Sequence, residues 1–542
     1  MTIQFVACTP FQDQKPGTSG LRKKTRRFQE PHYLETFVQA IFTAAAPQGP
    51  LVVGGDGRHF NAEAIQTIVR IAIANGCRHL IIGQNGLLST PAASHLVRKR
   101  QAAGAVILSA SHNPAGPDGD FGVKFNGPNG APAAERLTNA IFEESRRLEG
   151  YRILAEADLV DLSRPGILKK AGATLEIVDS TRDYADLMET LFDFDLIRAR
   201  LSGGLDLWFD GMNAVTGPYA REILHRRLGV PEDQLLRAAP LTDFGHAHPD
   251  PTAKNAPDLV RRLAAEGGGA IGAASDGDGD RHLILGAGFP VNPSDSLAIL
   301  TRNAEIAPGY RGRMAGVARS MPTSRAVDRV AERLGLPCFE TPTGWKFFGS
   351  LLDAGKITLC GEESAGAGSD HVREKDGVWA LLFWLNILAA RGGSVQGLVE
   401  DHWRDFGRNA CLRLDYDDLP SDVADRLMSD LKAGLPRLAA TALSGDEIAG
   451  ADVFDYVDPV TGDLAQDQGV RIHLTSGGRI VYRLSGTGTA GATLRVYLER
   501  YVADPHALGR PAEDLVRPVE DIALALARIP ELTGRSAASA RV

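Results

Sequence analysis

The sequence has few cysteines, no long unbroken apolar stretch and no dominance of one charge sign. Each of these lacks closes off a class of protein. Cys8, Cys77, Cys338, Cys360 and Cys411 are odd in number, scattered and never spaced C-x-x-C. That excludes a disulfide framework and a zinc knuckle, and it points to a reducing compartment. The most apolar run, Gly377 to Ala390, is too short to span a bilayer and carries Asn386, so it reads as a buried helix. The N-terminal stretch MTIQFVACTPFQDQKPG lacks the charged and apolar regions of a signal peptide. A cytoplasmic protein with no membrane partner is expected. Lys and Arg total 59 against 67 Asp and Glu, a net charge of −8. That balance argues against nucleic acid as a partner, while local basic pockets remain open.

What is present is an ordinary globular mixture, 44% hydrophobic and 23% charged, over 542 residues. At ~150 residues per domain the length suggests three or four domains. From Leu51 the pattern alternates strand, helix, strand, helix, strand. LVVGGDGR reads as a buried strand ending in a glycine turn, and Asn61 is placed to cap the next helix. HLIIGQNG is a second strand, Ser89-Thr90-Pro91 opens a helix, and AVILSA runs straight into Ser111-His112-Asn113-Pro114. Such alternation predicts a βαβ domain with a mostly parallel sheet, whose ligands gather at the carboxyl ends of strands. The alternation recurs from Leu205 and again from Arg313, although no residue-level repeat is visible. After about Asp405 the pattern becomes α+β, and the last residues, SAASARV, are expected to fray.

Four motifs carry chemistry. In SDGDGDRH, Asp276, Asp278 and Asp280 follow an apolar strand. Alternate spacing turns three carboxylates to one side, and the glycines let the backbone curl around a cation. All-oxygen ligation suits Mg²⁺ or Ca²⁺ rather than zinc, with a position left for an outside oxygen such as phosphate. An EF-hand is excluded, because Arg281 and Ala287 stand where that loop needs glycine and glutamate. A solvated acidic turn is the plainer alternative.

Ser111 is placed to face a cleft. His112 cannot be assumed to activate it, since neighbours in an extended chain point to opposite sides, and the G-x-S-x-G elbow is absent. A Ser or Asx turn before proline remains open. Gly361-Glu362-Glu363-Ser364 offers a carboxylate and a hydroxyl that can grip sugar hydroxyls, or simply a helix cap. Arg373-Glu374-Lys375-Asp376 reads as a solvated mixed-charge face. Arg483 to Thr489, with Arg495 on the next strand, offers hydroxyls, amides and guanidinium groups as a phosphate cradle or a plain polar loop. It is not a Walker A loop.

Together these motifs resemble the α-D-phosphohexomutase superfamily, in its glucose-type phosphoglucomutase branch. KPGTSGLRKKT, GQNGLLSTPA, GDFGVKFNG, ARSMPTS, ETPTGWKFFG, GSDHVREKDGVWA and LSGTGTAGAT extend the likeness over essentially the whole chain. The resemblance implies an α/β chain with three related βα domains, with mixed, mostly parallel sheets, plus a C-terminal α+β domain around a central cleft. It divides the chain into a phosphoserine domain (1–190), a metal-binding domain (191–303), a sugar-binding domain (304–404) and a phosphate-binding domain (405–542).

It also implies residue roles. Ser111 matches the phosphoryl carrier, and Asp276, Asp278 and Asp280 match ligands of one Mg²⁺ completed by the Ser111 phosphate. Glu362 and Ser364 match sugar contacts, with Thr343 and Gly344 in the sugar-facing loop. Thr18, Ser19, Arg22, Lys124 and Arg281 match positions around the reacting phosphate. Arg483, Ser485, Gly486, Thr487 and Arg495 match the loop for the other phosphate, and His112 and Lys375 match acid/base candidates. The implied reaction interconverts glucose 1-phosphate and glucose 6-phosphate through glucose 1,6-bisphosphate, with no obligate protein partner. Phosphomannomutase, phosphoglucosamine mutase or a non-catalytic phosphosugar binder are the alternatives. Ala365 and Ala115 depart from common family residues, and a reshaped sugar pocket is expected at Ala365.

Overall fold

The computed structural model describes residues 2–17, 19–155, 158–266, 268–438, 441–443, 445–485 and 491–542. Thr18, Gly486 and Thr487, singled out above, lie outside the described residues. The chain forms two compact units. The first runs to Pro293 and adds Asn303–Ala315 and Gly344–Gln396; the second joins Ser294–Arg302, Gly316–Thr343 and Gly397–Val542.

In the first unit, a seven-stranded sheet orders its strands Leu21–Lys24, Asp120–Asn126, Gly104–Leu108, Leu51–Gly55, His79–Leu87, Ala173–Val178 and Gly166–Lys170. Its three central pairings are parallel. The pairings toward both edges are antiparallel. The sheet is thus more evenly mixed than the strand–helix alternation suggests, because the chain returns after Ser111 without a crossover helix. Leu51–Gly55 and Gly104–Leu108 are wholly buried, as expected of strands covered on both faces. Val53, Ile65, Ile82, Val106, Phe121 and Leu175 belong to one core, each contributing roughly 1.5–3 kcal/mol of burial.

Local chemistry explains the helix starts. Ser89 caps Thr90–Lys99 by accepting from Ala92 N, with proline in the first turn. Asn61 is not the cap of Asn61–Ala74. Phe60, at φ 75°, makes the entry, and the Asn61 amide instead donates to Gly86 O at 3.2 Å. The apolar run is the helix Gly377–Arg391, buried through Leu388 and capped by Asp376, which accepts from Trp379 N at 3.0 Å. Among the described residues, no single helix is long and apolar enough to cross a membrane.

A second sheet of the first unit orders Leu235–Leu236, Leu207–Asp210, Ile271–Ser275, His282–Gly286 and Phe289–Pro290. Ile271–Ser275 and His282–Gly286 are antiparallel and pair Ser275 with His282, so the acidic motif is the loop of a hairpin. Leu359–Glu362 and Gly366–Ser369 form another hairpin, whose loop holds Ser364.

In the second unit, parallel strands Val317–Ser320 and Cys338–Thr341 flank the helix Ala326–Leu334. A separate antiparallel sheet contains Arg408–Leu419, Ala492–Val502, Arg479–Ser485, Val470–Leu474 and Asp446–Val453. Helices Ser421–Gly434 and Ala512–Leu526 contribute Leu427 and Val516 to its core. The C-terminal residues do not simply fray. Ala540–Arg541 pairs with Leu414 and Asp415, and Arg541 binds Glu520.

Candidate active site

Ser111 follows the strand Gly104–Leu108 and adopts φ +53°. In this left-handed turn adjacent side chains no longer diverge: Ser111 Oγ lies 3.3 Å from His112 Nδ1. That corrects the expectation from an extended chain. The same hydroxyl donates to Asp276 Oδ2 at 3.0 Å. His112 is held well below its ordinary pKa by burial and then by the charges of Arg281, Arg22, His248 and Lys375.

The hairpin loop buries Asp276, Asp278 and Asp280, and ligand oxygens from all three lie within 4.8 Å of one another. The backbone amides of Asp280 and Arg281 donate to Asp276 Oδ1 at 2.9 and 3.0 Å. Thr90 Oγ1 donates to Asp278 Oδ2 at 2.9 Å, and Lys375 Nζ stands 3.0 Å from Asp280 Oδ2. The other oxygens, Asp278 Oδ1 and Asp280 Oδ1, are buried with no hydrogen-bond partner. Bare buried carboxylate oxygens are costly. Burial, then Asp280 and Asp278, drives the Asp276 carboxyl far up, whereas Lys124 and Lys375 overcome burial to hold Asp278 low. Oxygen-only donors with unused lone pairs in a buried loop fit a hard divalent cation. The plain acidic turn is thereby set aside, since these carboxylates face no solvent.

Cationic groups surround the triad. Arg22 pairs in register with Gly122, and its Nε is buried without a hydrogen-bond partner. Burial lowers its pKa, against the pull of Asp278 and Asp280. Lys124 lies two residues further along the same partner strand. The turn holding half-buried Ser19 closes through Gly17 N to Gly20 O at 2.9 Å. A Cβ on Gly20 would meet Lys124 Cβ at 2.6 Å, so this turn fits only against the Lys124 strand. Arg281 reaches Asp250 at 3.4 Å, and its backbone bridges Gly366 beside the loop that holds Ser364. For Arg281, the charges of Asp276, Asp280 and Asp250 outweigh burial and raise its pKa.

The Arg373–Asp376 run is not a solvated face; all four residues are buried. Glu374 accepts from Lys124 at 3.2 Å and from Asn126 at 2.8 Å, while Lys375 turns to Asp280. A charged run reads as surface in sequence, and only the opposite charges arriving from distant strands make its burial possible. Glu374, Asn126 and Thr90 are site residues that sequence reasoning missed. Glu362 is buried and accepts from Gly344 N at 2.9 Å, with burial raising its pKa against the pull of Lys375. Ser364 is half-buried in the adjoining loop.

The remaining expected residues belong to the second unit. Thr343 Oγ1 is buried there without a hydrogen-bond partner. Arg483 and Arg495 face each other across antiparallel strands, and Ser485 pairs with Thr493. Arg483 reaches Tyr497 Oη at 3.4 Å, and Arg495 stands 3.8 Å from Asp415.

Four family models match in chain order. Domains I, II and III of phosphoglucomutase/phosphomannomutase, each described as alpha/beta/alpha, match residues 13–152, 182–287 and 292–406. The phosphoglucomutase-1 C-terminal domain matches residues 408–539. The chain belongs to the phosphoglucomutase/phosphomannomutase family.

This family member is 51% identical to a phosphoglucomutase of Rhizobium radiobacter, over 98% of the chain and 99% of the relative. It is 47% identical to human phosphoglucomutase-1, over 99% of each. A solved structure of parafusin from Paramecium, titled an exocytosis-sensitive phosphoprotein and phosphoglucomutase in open form, matches with a TM-score of 0.92. That match has 42% identity and covers 100% of this chain and 99% of the other. The expected architecture of three α/β domains with mixed sheets and a distinct C-terminal domain holds. The acidic triad falls in domain II and the Ser111 turn in domain I.

Proposed function

We propose that this chain is a phosphoglucomutase, reversibly interconverting α-D-glucose 1-phosphate and glucose 6-phosphate. One observation carries the reading: a serine in a buried left-handed turn meets a triad of carboxylates that still has bare oxygens. Full-length relatives with that name support it.

In the proposed reaction, phosphorylated Ser111 gives its phosphoryl group to the free sugar hydroxyl. The serine O–P bond breaks and a sugar O–P bond forms; the sugar hydroxyl proton passes to one of His112 and Lys375, and the other gives a proton to the departing Ser111 oxygen. The product, glucose 1,6-bisphosphate, then returns its other phosphate to Ser111. Asp276, Asp278 and Asp280, with the Ser111 phosphate, would hold one Mg²⁺, which when bound offsets charge on the phosphoryl oxygens. Arg22, Lys124, Arg281 and Ser19 are proposed to hold the reacting phosphate by charge and hydrogen bonds. Thr18 joins them by resemblance. Glu362, Ser364, Thr343 and Gly344 are proposed for the sugar, and Arg483, Ser485, Gly486, Thr487 and Arg495 for the other phosphate.

The reading keeps domains at 1–190, 191–303, 304–404 and 405–542, although the third family model begins earlier, at 292. It takes phosphosugar as the partner. It places the reaction in the cytoplasm, a reading supported by five free cysteines.

Intact-mass analysis of fresh protein is expected to show a phosphorylated fraction that is absent from Ser111→Ala. Equal masses in the two proteins would remove Ser111 as carrier. A coupled assay offering glucose, mannose and glucosamine 1-phosphates is expected to favour glucose, in keeping with the GEES form of the sugar loop. Preference for another sugar would move the chain to a sister specificity.

A further inference from the structure

We infer that Arg58 is a positioning residue for phosphoryl transfer, holding the Ser111 peptide in its left-handed turn from the Asp56-Gly57-Arg58 bend. The inference rests on the proposed role of Ser111 and concerns residues outside the four chemical motifs.

Arg58 and Asp56 form an ion pair whose side chains are both 0% exposed. Arg58 Nε donates to both Asp56 oxygens, at 3.0 and 2.9 Å. The rest of its planar fork is committed to the nucleophile loop. Nη2 donates to Ser111 O at 2.7 Å, and Nη1 donates to Asp120 O, also at 2.7 Å. These two carbonyls bracket the turn that begins at Ser111 and returns along the Lys124 strand.

The other backbone polar group of Ser111, across its Cα, is held beside the same bend. Ser111 N donates to Ser109 Oγ at 2.7 Å, and Ser109 favours the charged form of Asp56 against burial. The Ser111 amide is therefore held by the Ser109 hydroxyl and its carbonyl by Arg58.

A third observation shows how little play this arrangement has. A Cβ on Gly277 would lie 2.4 Å from Ser111 O and 3.5 Å from Arg58 Nη2. The acidic hairpin thus packs its backbone directly onto the carbonyl that Arg58 grips. A serine at positive φ is strained and persists only where its surroundings over-determine it. Released, Ser111 would relax toward ordinary φ and carry its Oγ away from Asp276 and His112.

Geometry makes the arginine specific. A guanidinium can serve a carboxylate and two carbonyls in one plane, whereas a lysine ammonium keeps the charge as a compact point on a flexible stem. Arg58→Lys therefore separates charge from positioning.

The test compares wild type, Arg58→Lys and Ser109→Ala, with Ser111→Ala as the inactive reference. Single-turnover loss of phosphoserine on adding glucose 1-phosphate is followed by mass, beside steady-state kcat and KM and the melting temperature. Arg58→Lys is expected to slow phosphoryl transfer and kcat at least 10-fold, with KM changed less than 3-fold. Ser109→Ala, which deletes only a hydroxyl, is expected to give the same kcat-only pattern at about 3-fold. Rates restored by assaying well below the melting temperature would mean a merely structural role and overturn the inference. So would wild-type transfer rates in a folded Arg58→Lys, or in Ser109→Ala if the lysine variant does not fold. An inactive wild type would instead sink the proposed function itself.

Discussion

Arg483 and Arg495 stand directly opposite one another on paired strands, with Asp415 3.8 Å from Arg495. Like charges in that register destabilise a sheet, which supports the proposal that this pair receives a phosphate. Arg495→Ala is expected to raise KM for glucose 1-phosphate roughly 10-fold or more with kcat changed much less, the loss of a charged hydrogen bond of about 1.5–3 kcal/mol. A fall in kcat at constant KM would contradict the binding role. Lys375 teaches the converse lesson. Its neighbours in sequence suggest solvent, yet it is 9% exposed because Asp280 meets its ammonium.

At the level of elements, the acidic hairpin loop is tuned by its glycines. Gly277→Ala is expected to leave most of the fold standing, because the clash is confined to the Ser111 carbonyl. It is expected to cut kcat by about 10- to 100-fold, the cost of misplacing a reacting group by roughly an ångström. Circular dichroism and kcat, measured together, check this.

The helix Val395–Phe406 carries a different kind of dependence. His402 is 1% exposed and stacks on Phe406, with ring centroids 5.0 Å apart. Burial first, and then Arg302, push its pKa down to about 3. The unfolded chain takes up a proton near pH 6.5, while the folded chain refuses it until about 3. Stability from this group is therefore complete above pH 6.5 and is lost as pH falls toward 3. Between pH 7 and 5 the loss is about 2 kcal/mol. Denaturant unfolding followed by tryptophan fluorescence is expected to show a slope of that sign, and His402→Gln to reduce it by about this amount.

For the whole molecule, the proposed metal site would tie stability to the cation. Three buried carboxylates, two of them with a bare oxygen, are an electrostatic load on the apo fold, and a cation that binds only the folded state would relieve it. At Mg²⁺ one hundred times its Kd the gain is about 2.7 kcal/mol. EDTA is expected to abolish activity and lower the melting temperature, and Mg²⁺ to restore both. Asp276→Asn/Asp278→Asn is expected to lose the response. An unchanged melting temperature and chelator-insensitive turnover in wild type would refute the metal role. Net charge does not oppose an anionic substrate, because Arg22, Lys124, Arg281 and Lys375 concentrate positive charge in the first unit while the chain as a whole carries −8.

Some of this protein is determined by sequence alone, because the causes are local. Apolar periodicity makes the strands Leu51–Gly55 and Gly104–Leu108, Ser89 and Pro91 start a helix, and D-G-D-G-D turns carboxylates together on a flexible backbone. Such features depend on near neighbours and on backbone freedom, which the order of residues carries. Tertiary structure alone decided which groups meet. It put Ser111 and His112 on the same side by a positive φ, buried Glu374 against Lys124 and Asn126, and bound the last strand to Leu414 and Asp415. It also closed Arg58 onto the Ser111 carbonyl, 53 positions away. Burial, partner charge and strain are properties of what folding brings near, and a charged residue looks solvated until its partner arrives from another strand.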